Sequence, residues 1–357
     1  MKKHPFLLYP VVLFLIVFLI DKLFWIEPIR ELFQNDLTYL YYQLKEPLLD
    51  KLQKESQSKN RKKIMVVLGS SRLLYFDYNN LKEFYPDWEV FNFSSAVTAP
   101  IYYDYILGEI LKRQIHPDLL VVETDPNQFN YYSPGLTGSI LTHSLDLPYV
   151  IKNASLIGKE NLSFYFTRKL FAMTVTKPFP DALERNLRPE VRMNFTYLKT
   201  ELSTFLLKNN GNSLSPISDY VEKDAAILES TSRRTKDWLY GRFKPFESQF
   251  VFFEKVLETS KSNQIPVLVV WPASSPGMEK YTSQLPFLGE WKRRIETILG
   301  KYNLKLHDMK NSQNYNCNAF SDGGHVSKEC YRSIVRFIFM EYFSIYPEKM
   351  VSEESRK

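Results

Sequence analysis

Short, continuous apolar runs recur along the chain, and longer amphipathic stretches separate them. Each run ends near Gly, Pro or polar residues, as expected of strands that are buried on both faces. Strands that alternate with helices predict an α/β fold with a parallel sheet covered on both sides. The predicted strands are 64–68, 88–93, 118–123, 265–271 and, with a weaker pattern, 304–307, and the predicted helices are 101–115, 247–260, 288–299 and 326–343.

One long segment breaks this alternation. Residues 126–245 are rich in Pro, Asn and Ser and contain short helix-like pieces without a strong strand pattern. We predict a helical insertion that follows the third strand and contributes to a lid or wall. The predicted α/β domain therefore covers 62–345 and includes this insertion, and a polar tail follows at 346–357.

The N-terminus carries an apolar stretch that predicts a membrane anchor over 1–26. The uninterrupted part, 5–20, is slightly shorter than the ~20 residues that span a bilayer, but Lys22 can extend to the headgroups and Trp25 suits the interface. No Ala-x-Ala-like site follows, so an uncleaved signal anchor is expected. The basic residues before it place the N-terminus in the cytoplasm and the rest of the chain outside. A buried core helix is the alternative.

The next segment, 27–61, is predicted to be a stalk helix and linker. Its first half has helical periodicity, which also fits a first helix packed on the globular domain. Its second half is polar and basic without an apolar stripe. A solvated linker and a contact with anionic headgroups both fit that composition.

Charge and cysteine content narrow the possible partners. The net charge of +6 comes from 46 basic and 40 acidic residues and is not clustered, so no nucleic-acid partner is expected. Aromatic residues make up 15% of the chain, which fits an aromatic core or sugar-stacking platforms. Only two Cys occur, Cys317 and Cys330, and the residue spacing of a four-ligand zinc site is absent, which excludes such a site. In an oxidising compartment the two are expected to form a disulfide, and otherwise they are two buried thiols.

The first motif with chemical meaning follows the first predicted strand. Gly69, Ser70, Ser71 and Arg72 lie where a strand turns into a helix. A Ser at this point exposes its hydroxyl at the ligand-binding edge of a parallel sheet, near backbone amides that can hold an oxyanion. A helix-capping Ser gives the same local sequence. Ser71 is the candidate nucleophile.

The second motif precedes the last predicted helix. Asp322 and His325 are three residues apart in a loop with two glycines. That spacing allows the carboxylate to bind one imidazole nitrogen while the other nitrogen faces a nucleophile. The alternative is a capping Asp and an exposed loop His. Because the two motifs stand at the first and last elements of one α/β domain, together they favour a catalytic triad.

With these two motifs the sequence resembles the SGNH, or GDSL-like, hydrolase superfamily. The resemblance covers about 62–125 and 246–345, and it implies a flavodoxin-like three-layer α/β/α fold. It also implies that Ser71 is the nucleophile, Asp322 the orienting acid and His325 the general base. The Gly-Ser-Ser-Arg form with an N-terminal anchor is similar to the envelope branch that includes the D-alanyl-lipoteichoic-acid transfer protein and the alginate acetylation proteins. The whole layout is similar to an uncharacterised family of mainly leptospiral membrane proteins.

The resemblance further implies an oxyanion hole, and here the sequence departs from the family pattern. Ser94 stands where the family has Gly, and the Gly-x-Asn-Asp motif after the third strand is missing. Asn127 is the candidate that replaces its Asn. Arg72 either binds an anionic substrate group or pairs with Glu123 or Asp125. Loss of one oxyanion donor removes roughly 3–4 kcal/mol of transition-state stabilisation, which is compatible with slow or specialised catalysis.

These observations lead to a functional hypothesis. We expect acyl transfer or ester hydrolysis on an envelope glycan or lipid-linked polymer through an acyl-Ser71 intermediate, without a metal or organic cofactor. An acyl-donating membrane protein is a further expected partner. A degenerate domain that binds or scaffolds envelope polysaccharide is the alternative from another class, and an esterase of soluble substrates is a third.

Overall fold

The fold was described from a computed structural model of the full chain. It describes residues 5–33, 37–74, 78–133, 135–213 and 221–347. Lys2, Lys3 and the predicted polar tail from residue 348 onward lie outside the described residues.

A five-stranded parallel sheet forms the centre of the described structure, which confirms the α/β prediction. The spatial order is β2-β1-β3-β4-β5, and each neighbouring pair is parallel. Nearly all residues of the first four strands are buried, as their apolar runs predict. The strands are β1 (Lys63–Leu68), β2 (Trp88–Asn92), β3 (Leu119–Glu123), β4 (Val267–Trp271) and β5 (Leu306–Asp308).

Helices make up most of the remaining structure. In chain order they are α1 (Tyr9–Leu23), α2 (Glu27–Glu31), α3 (Leu40–Gln43), α4 (Lys45–Ser56), α5 (Ser71–Leu74), α6 (Tyr78–Phe84), α7 (Pro100–Lys112), α8 (Leu141–His143), α9 (Leu147–Lys152), α10 (Ala154–Ile157), α11 (Lys159–Leu170), α12 (Met173–Thr176), α13 (Pro180–Asn186), α14 (Pro189–Lys208), α15 (Ala225–Tyr240), α16 (Glu247–Ser262), α17 (Pro276–Thr282), α18 (Leu288–Gly300) and α19 (Tyr331–Ile345). Short 3₁₀ turns lie at Pro5–Leu8, Pro126–Phe129 and Lys328–Cys330, and a π-helical turn lies at Leu136–Ile140.

Two apolar cores cover the two faces of the sheet. Successive strand residues point to opposite faces, so Val66 and Val122 belong to one core and Val67 and Val121 to the other. Helices α4, α7, α16 and α18 contribute to the first core, and α19 is the main helix of the second. The carboxyl ends of the strands form the edge where ligands bind in such sheets.

The segment predicted as a stalk is part of the packed domain. Leu48, Leu49 and Leu52 of α4 are buried in the first core, because they share one face of the helix. The linker is therefore confined to the few residues between α4 and β1. Lys45 at the start of α4 is also buried, and its Nζ donates to the carbonyl of Ser94 at 2.6 Å. Burial lowers the pKa of Lys45 to about 7.

The anchor predicted for residues 1–26 corresponds to a helix that is shorter than expected. Helix α1 has 15 residues, fewer than the ~20 that span a bilayer. Within the described ranges, no helix is both long enough and apolar enough to cross a membrane. The carboxylate of Asp21, near the end of α1, accepts the backbone amides of Ala172 and Met173 at 2.9 Å each. This contact fixes the end of α1 to the insertion.

Candidate active site

The turn after β1 places Ser71 at the carboxyl edge of the sheet. Gly69 follows the strand, and Ser71 is the first residue of α5. A Cβ at Gly69 would lie only 2.8 Å from Glu123 Oε2 and 2.9 Å from Leu73 Cβ and Ser94 Oγ. Gly is thus required because three neighbours crowd this position, and the crowding fixes the direction in which the chain leaves β1.

Asp322 and His325 lie in a tight loop before α19. An antiparallel bridge between Phe320 and Val326 closes the loop, and the Ser321 amide donates to the His325 carbonyl at 3.0 Å. Within the loop, Asp322 Oδ1 accepts the amides of Gly324 at 2.7 Å and His325 at 2.9 Å. This local pattern is the one that Asp adopts when its side chain replaces a backbone acceptor in a turn.

The structure brings the two predicted motifs together. Ser71 Oγ lies 2.8 Å from His325 Nε2, although the residues are 254 positions apart, and His325 Nδ1 lies 2.9 Å from Asp322 Oδ2. Burial would raise the pKa of Asp322, but hydrogen bonds from His325 and the two loop amides outweigh it and hold the pKa below its ordinary value. An ionised carboxylate only accepts hydrogen bonds, so Nδ1 carries a proton, and in the neutral imidazole Nε2 is the acceptor for the Ser71 hydroxyl.

Helix α15, from the insertion, packs against the Asp322–His325 loop. A Cβ at Gly323 would lie 2.5 Å from the Cα and 2.7 Å from the amide nitrogen of Ser232. Gly323 therefore permits close packing of the loop against α15. Neither loop glycine has a positive φ, since the positive-φ glycines of the described residues are at 158 and 211. The Ser232 hydroxyl also lies 3.0 Å from Ser275 Oγ, after β4.

The guanidinium of Arg72 is held by neighbouring side chains and is not free to bind a substrate anion. Its Nη1 donates to Asp125 Oδ2 at 2.7 Å, and its Nη2 lies 3.4 Å from Ser274 Oγ. The Tyr240 hydroxyl of α15 donates to the other oxygen of Asp125 at 2.7 Å. Of the two roles predicted for Arg72, the structure therefore places it in an ion pair with Asp125. Sequence reasoning missed Tyr240, which belongs to no motif.

A second buried carboxylate holds the residue beside the nucleophile. Glu123 accepts the Ser70 amide at 2.7 Å and the Ser70 hydroxyl at 2.6 Å, and Gln128 donates to it at 3.2 Å. Burial raises the pKa of Glu123 to about 7 against the opposing hydrogen bonds from Ser70 and the charge of Arg72. Glu123 thereby fixes the turn from which Ser71 projects.

The two predicted oxyanion donors, Ser94 and Asn127, have different hydrogen-bond partners. Ser94 is fully buried, and its amide donates to Asn92 Oδ1 at 2.9 Å, so it is not free to bind an oxyanion. This corrects the prediction, because the Asn92 side chain competes for the amide. Asn127 lies in the turn after β3, where its backbone amide donates to Asp125 Oδ1 at 2.9 Å. Its side-chain Oδ1 is buried without a partner among the described residues.

A cavity of about 400 Å³ lies at the carboxyl ends of β4 and β5. Trp271, Pro272 and Ser274 line it, and Ser274 also contacts Arg72 beside the nucleophile. Trp271 packs edge-on against Trp291, with ring centroids 5.1 Å apart. Trp271 therefore both lines the cavity and completes the first core.

Cys317 and Cys330 form a disulfide, with Cα atoms 5.4 Å apart. They flank the Asp322–His325 loop, and Cys330 is buried in the second core. The crosslink thus attaches the start of the catalytic segment to the base of α19. In the described parts of the chain, no group of His, Cys, Asp or Glu is arranged to hold a metal ion.

The sequence was compared with known families and with curated proteins. The model of a family described as Protein of unknown function (DUF1574) matches residues 1–342. No curated protein matches the sequence.

Proposed function

The chain belongs to this family of proteins of unknown function, and from its site we propose that it is a serine-dependent O-acyltransferase or carboxylic-ester hydrolase of the SGNH type. One observation carries the proposal: a continuous hydrogen-bonded series runs from Ser71 Oγ through His325 to Asp322, with distances of 2.8 and 2.9 Å. A nucleophile, a base and an orienting acid in that order are what acyl transfer through an activated Ser requires.

The proposed chemistry proceeds in two steps. Ser71 Oγ attacks the carbonyl carbon of an ester while His325 Nε2 takes its proton, and the resulting imidazolium gives that proton to the departing alkoxide oxygen. The acyl group is then bound to Ser71. A water molecule or an acceptor hydroxyl loses its proton to His325 and attacks the acyl carbon, which releases Ser71 with its proton. The ionised Asp322 holds the imidazole tautomer throughout.

The oxyanion requires donors other than Ser94. The Ser71 amide stands at the first position of α5, where a helix offers its N–H no internal acceptor. The side chain of Asn127 follows β3 at the same edge of the sheet. We assign these two groups to the oxyanion.

Three features of the fold support the SGNH assignment. The strand order 2-1-3-4-5 is the one of flavodoxin-like sheets, whose ligands bind outside the carboxyl ends of the strands. The nucleophile follows the first strand of this sheet, and the Asp-x-x-His loop precedes its last helix. Helices from both cores pack on the two faces of the sheet, as in a three-layer domain.

For the substrate we propose an O-acyl group of an envelope glycan or lipid-linked polymer, met outside the cytoplasm. The disulfide supports that compartment, because such bonds persist where conditions are oxidising. The exposed apolar side chains of α1 support attachment to a membrane. Non-reducing peptide mapping of protein taken from its native compartment tests the location, and two free thiols there would contradict it.

A catalytically degenerate domain that binds envelope polysaccharide is the second candidate. The hydrogen bond from the Ser94 amide to the Asn92 side chain favours this second candidate, because that amide is the expected oxyanion donor. The intact Ser71–His325 contact opposes it.

Reaction with a fluorophosphonate probe separates the two functions. We expect the full-length protein to be labelled at Ser71, because the probe needs a Ser that is activated by a neighbouring base. Ser71→Ala should abolish labelling without loss of stability, and Ser58→Ala, at an exposed position between α4 and β1, serves as the matched control that retains the nucleophile. A parent protein that folds and is never labelled would favour the binding domain.

A further inference from the structure

A second cavity, of about 500 Å³, lies between the segment that follows α1 and the insertion. It is distinct in its lining from the cavity beside Trp271 and contains no triad residue. Aromatic and basic side chains line it from two sides. Trp25, Arg30 and Tyr39 come from the N-terminal segment, and Arg168, Lys169 and Lys177 come from the insertion.

Four cations line this cavity without a close carboxylate partner among the described residues, although Arg30 interacts electrostatically with Glu27, and Lys169 with Asp146, over longer distances. No Asp or Glu is found among its described lining residues, and no salt bridge there involves Arg30, Arg168, Lys169 or Lys177. Lys199 nearby differs, since it pairs with both Glu27 and Glu31. Four cations that converge on a concave surface create a positive potential and attract an anion.

Two buried donors in the cavity lining also have no acceptor. Tyr39 is 4% exposed, and neither its hydroxyl nor Arg30 Nε has a hydrogen-bond partner among the described residues. A buried donor without an acceptor is energetically unfavourable. An occupant rich in oxygen acceptors would remove that cost and neutralise the charge together.

The residues around the cavity mouth indicate whether the anionic occupant is a lipid or a soluble molecule. The cavity begins where α1 ends, and Trp25 is one of its walls. Ile20 and Leu23 are each 47% exposed on the adjoining turn of α1. An anionic group in the cavity could therefore carry a hydrocarbon chain that lies along α1, with the Trp ring at the boundary between them.

We propose that this cavity binds a phosphate group. Arg side chains bind phosphate oxygens in a bidentate manner, and lysines add charge without geometric constraint. An anionic lipid headgroup and free phosphate share this chemistry, and the exposed apolar turn of α1 favours the lipid. The site is independent of ester chemistry at Ser71.

Isothermal titration of the full-length protein in neutral detergent tests the proposal with three probes. They are dihexanoyl phosphatidic acid, dihexanoyl phosphatidylcholine and inorganic phosphate. We expect phosphatidic acid to bind more tightly than phosphatidylcholine. The triple variant Arg30→Gln/Arg168→Gln/Lys169→Gln should weaken it about tenfold or more, since one lost charged hydrogen bond has that effect. The charge-matched control Lys54→Gln/Lys59→Gln/Lys261→Gln should bind as the parent does.

Tyr39→Phe provides a test that does not depend on the fold of the triple variant. It removes only a buried hydroxyl without a partner, so thermal stability should be retained while phosphatidic acid binding weakens several-fold. Binding of inorganic phosphate as tightly as the lipid would support the site with a soluble source. Equal binding of both lipids, or undiminished binding by the triple variant, would overturn the proposal. Ser71→Ala should bind phosphatidic acid normally, which separates this result from the proposed catalysis.

Discussion

Two histidine–carboxylate pairs are seen in the part of the chain that the structure describes, and one of them lies beside the candidate nucleophile. His325 lies 2.9 Å from Asp322, and His307 lies 2.8 Å from Glu341, in each case through Nδ1. Both pairs lie in the C-terminal part of the domain, one in the loop before α19 and the other between β5 and α19. The distances are similar, although His325 Nδ1 contacts both oxygens of Asp322 and His307 Nδ1 contacts one oxygen of Glu341.

Their surroundings differ. The His325 side chain is 30% exposed at the carboxyl edge of the sheet and has Ser71 Oγ on Nε2. The His307 side chain is 3% exposed, and its carboxylate partner also accepts from Ser312 and Asn314. Burial lowers the pKa of His307, although its bond to Glu341 opposes the shift.

The comparison shows that an imidazole held by a carboxylate is not by itself a site. Glu341 satisfies its hydrogen bonds with side chains and links β5, α19 and the loop between them. Asp322 takes its other hydrogen bonds from the backbone of its own loop, so the imidazole beside it is positioned for a third partner. Exposure and the third partner distinguish catalytic potential from structural support.

The largest expected effect comes from the same substitution in both pairs. His325→Gln should lower the rate of fluorophosphonate labelling at Ser71 by roughly 10³-fold or more, because amide nitrogen is not a base and triad members act as a unit. His307→Gln should leave that rate within a factor of two or three. Its effect should instead appear in urea unfolding, as a loss of about 1–3 kcal/mol.

An equal effect of the two substitutions on labelling would reject the distinction between the pairs. If His307→Gln reduced labelling as strongly as His325→Gln at equal folded fraction, His307 would belong to the reactive site. Circular dichroism of each variant provides the folded fraction.

Removing the disulfide should have the next largest effect. Cys317→Ala/Cys330→Ala should lower the free energy of unfolding by about 3 kcal/mol, the chain-entropy value for a loop of this length. Labelling at Ser71 should also slow, because the crosslink limits movement of the Asp322–His325 loop. The His307 pair should remain intact, which the chemical shifts of its imidazole report. Unchanged stability of the variant under oxidising conditions would contradict the prediction.

The last prediction concerns Glu123 and the dependence of stability on pH. Its pKa rises from the ordinary value near 4.5 to about 7 on folding, so its stabilising contribution is complete below pH 4.5 and is lost as pH rises to 7. Within that window the parent should lose up to roughly 1.4 kcal/mol per pH unit relative to Glu123→Gln. Paired urea titrations from pH 4.5 to 8 measure this difference. Parallel stability curves for the two proteins would show that Glu123 is ionised throughout.

The elements around Ser71 and around Asp322 and His325 could be predicted, because each motif adjoins a segment with a clear hydrophobic pattern. The buried run that becomes β1 fixes Ser71 at its carboxyl end, and the amphipathic α19 fixes the loop before it. The predicted start of that helix was less accurate. It begins at Tyr331 and not at 326, because Val326 pairs with Phe320 and Ser327 caps a short 3₁₀ turn.

Contacts between distant segments left no signal in the sequence. Tyr240 reaches Asp125 across 115 positions, and Lys45 reaches Ser94 from a segment predicted to be a stalk. The capture of the Ser94 amide by Asn92 is local, but it depends on a rotamer that no periodicity specifies. Such contacts are decided by packing of the assembled chain and not by local pattern.

The 254 positions between Ser71 and His325 have a consequence during biosynthesis. Translation adds about 5–20 residues per second, so the nucleophile is made roughly 10–50 s before its base exists. Throughout that interval Ser71 is an ordinary alcohol, unable to take an acyl group from any ester it meets. Under the proposed function, Ser71 becomes reactive only when α19 and its loop join the sheet, so the onset of fluorophosphonate labelling would report completion of the fold.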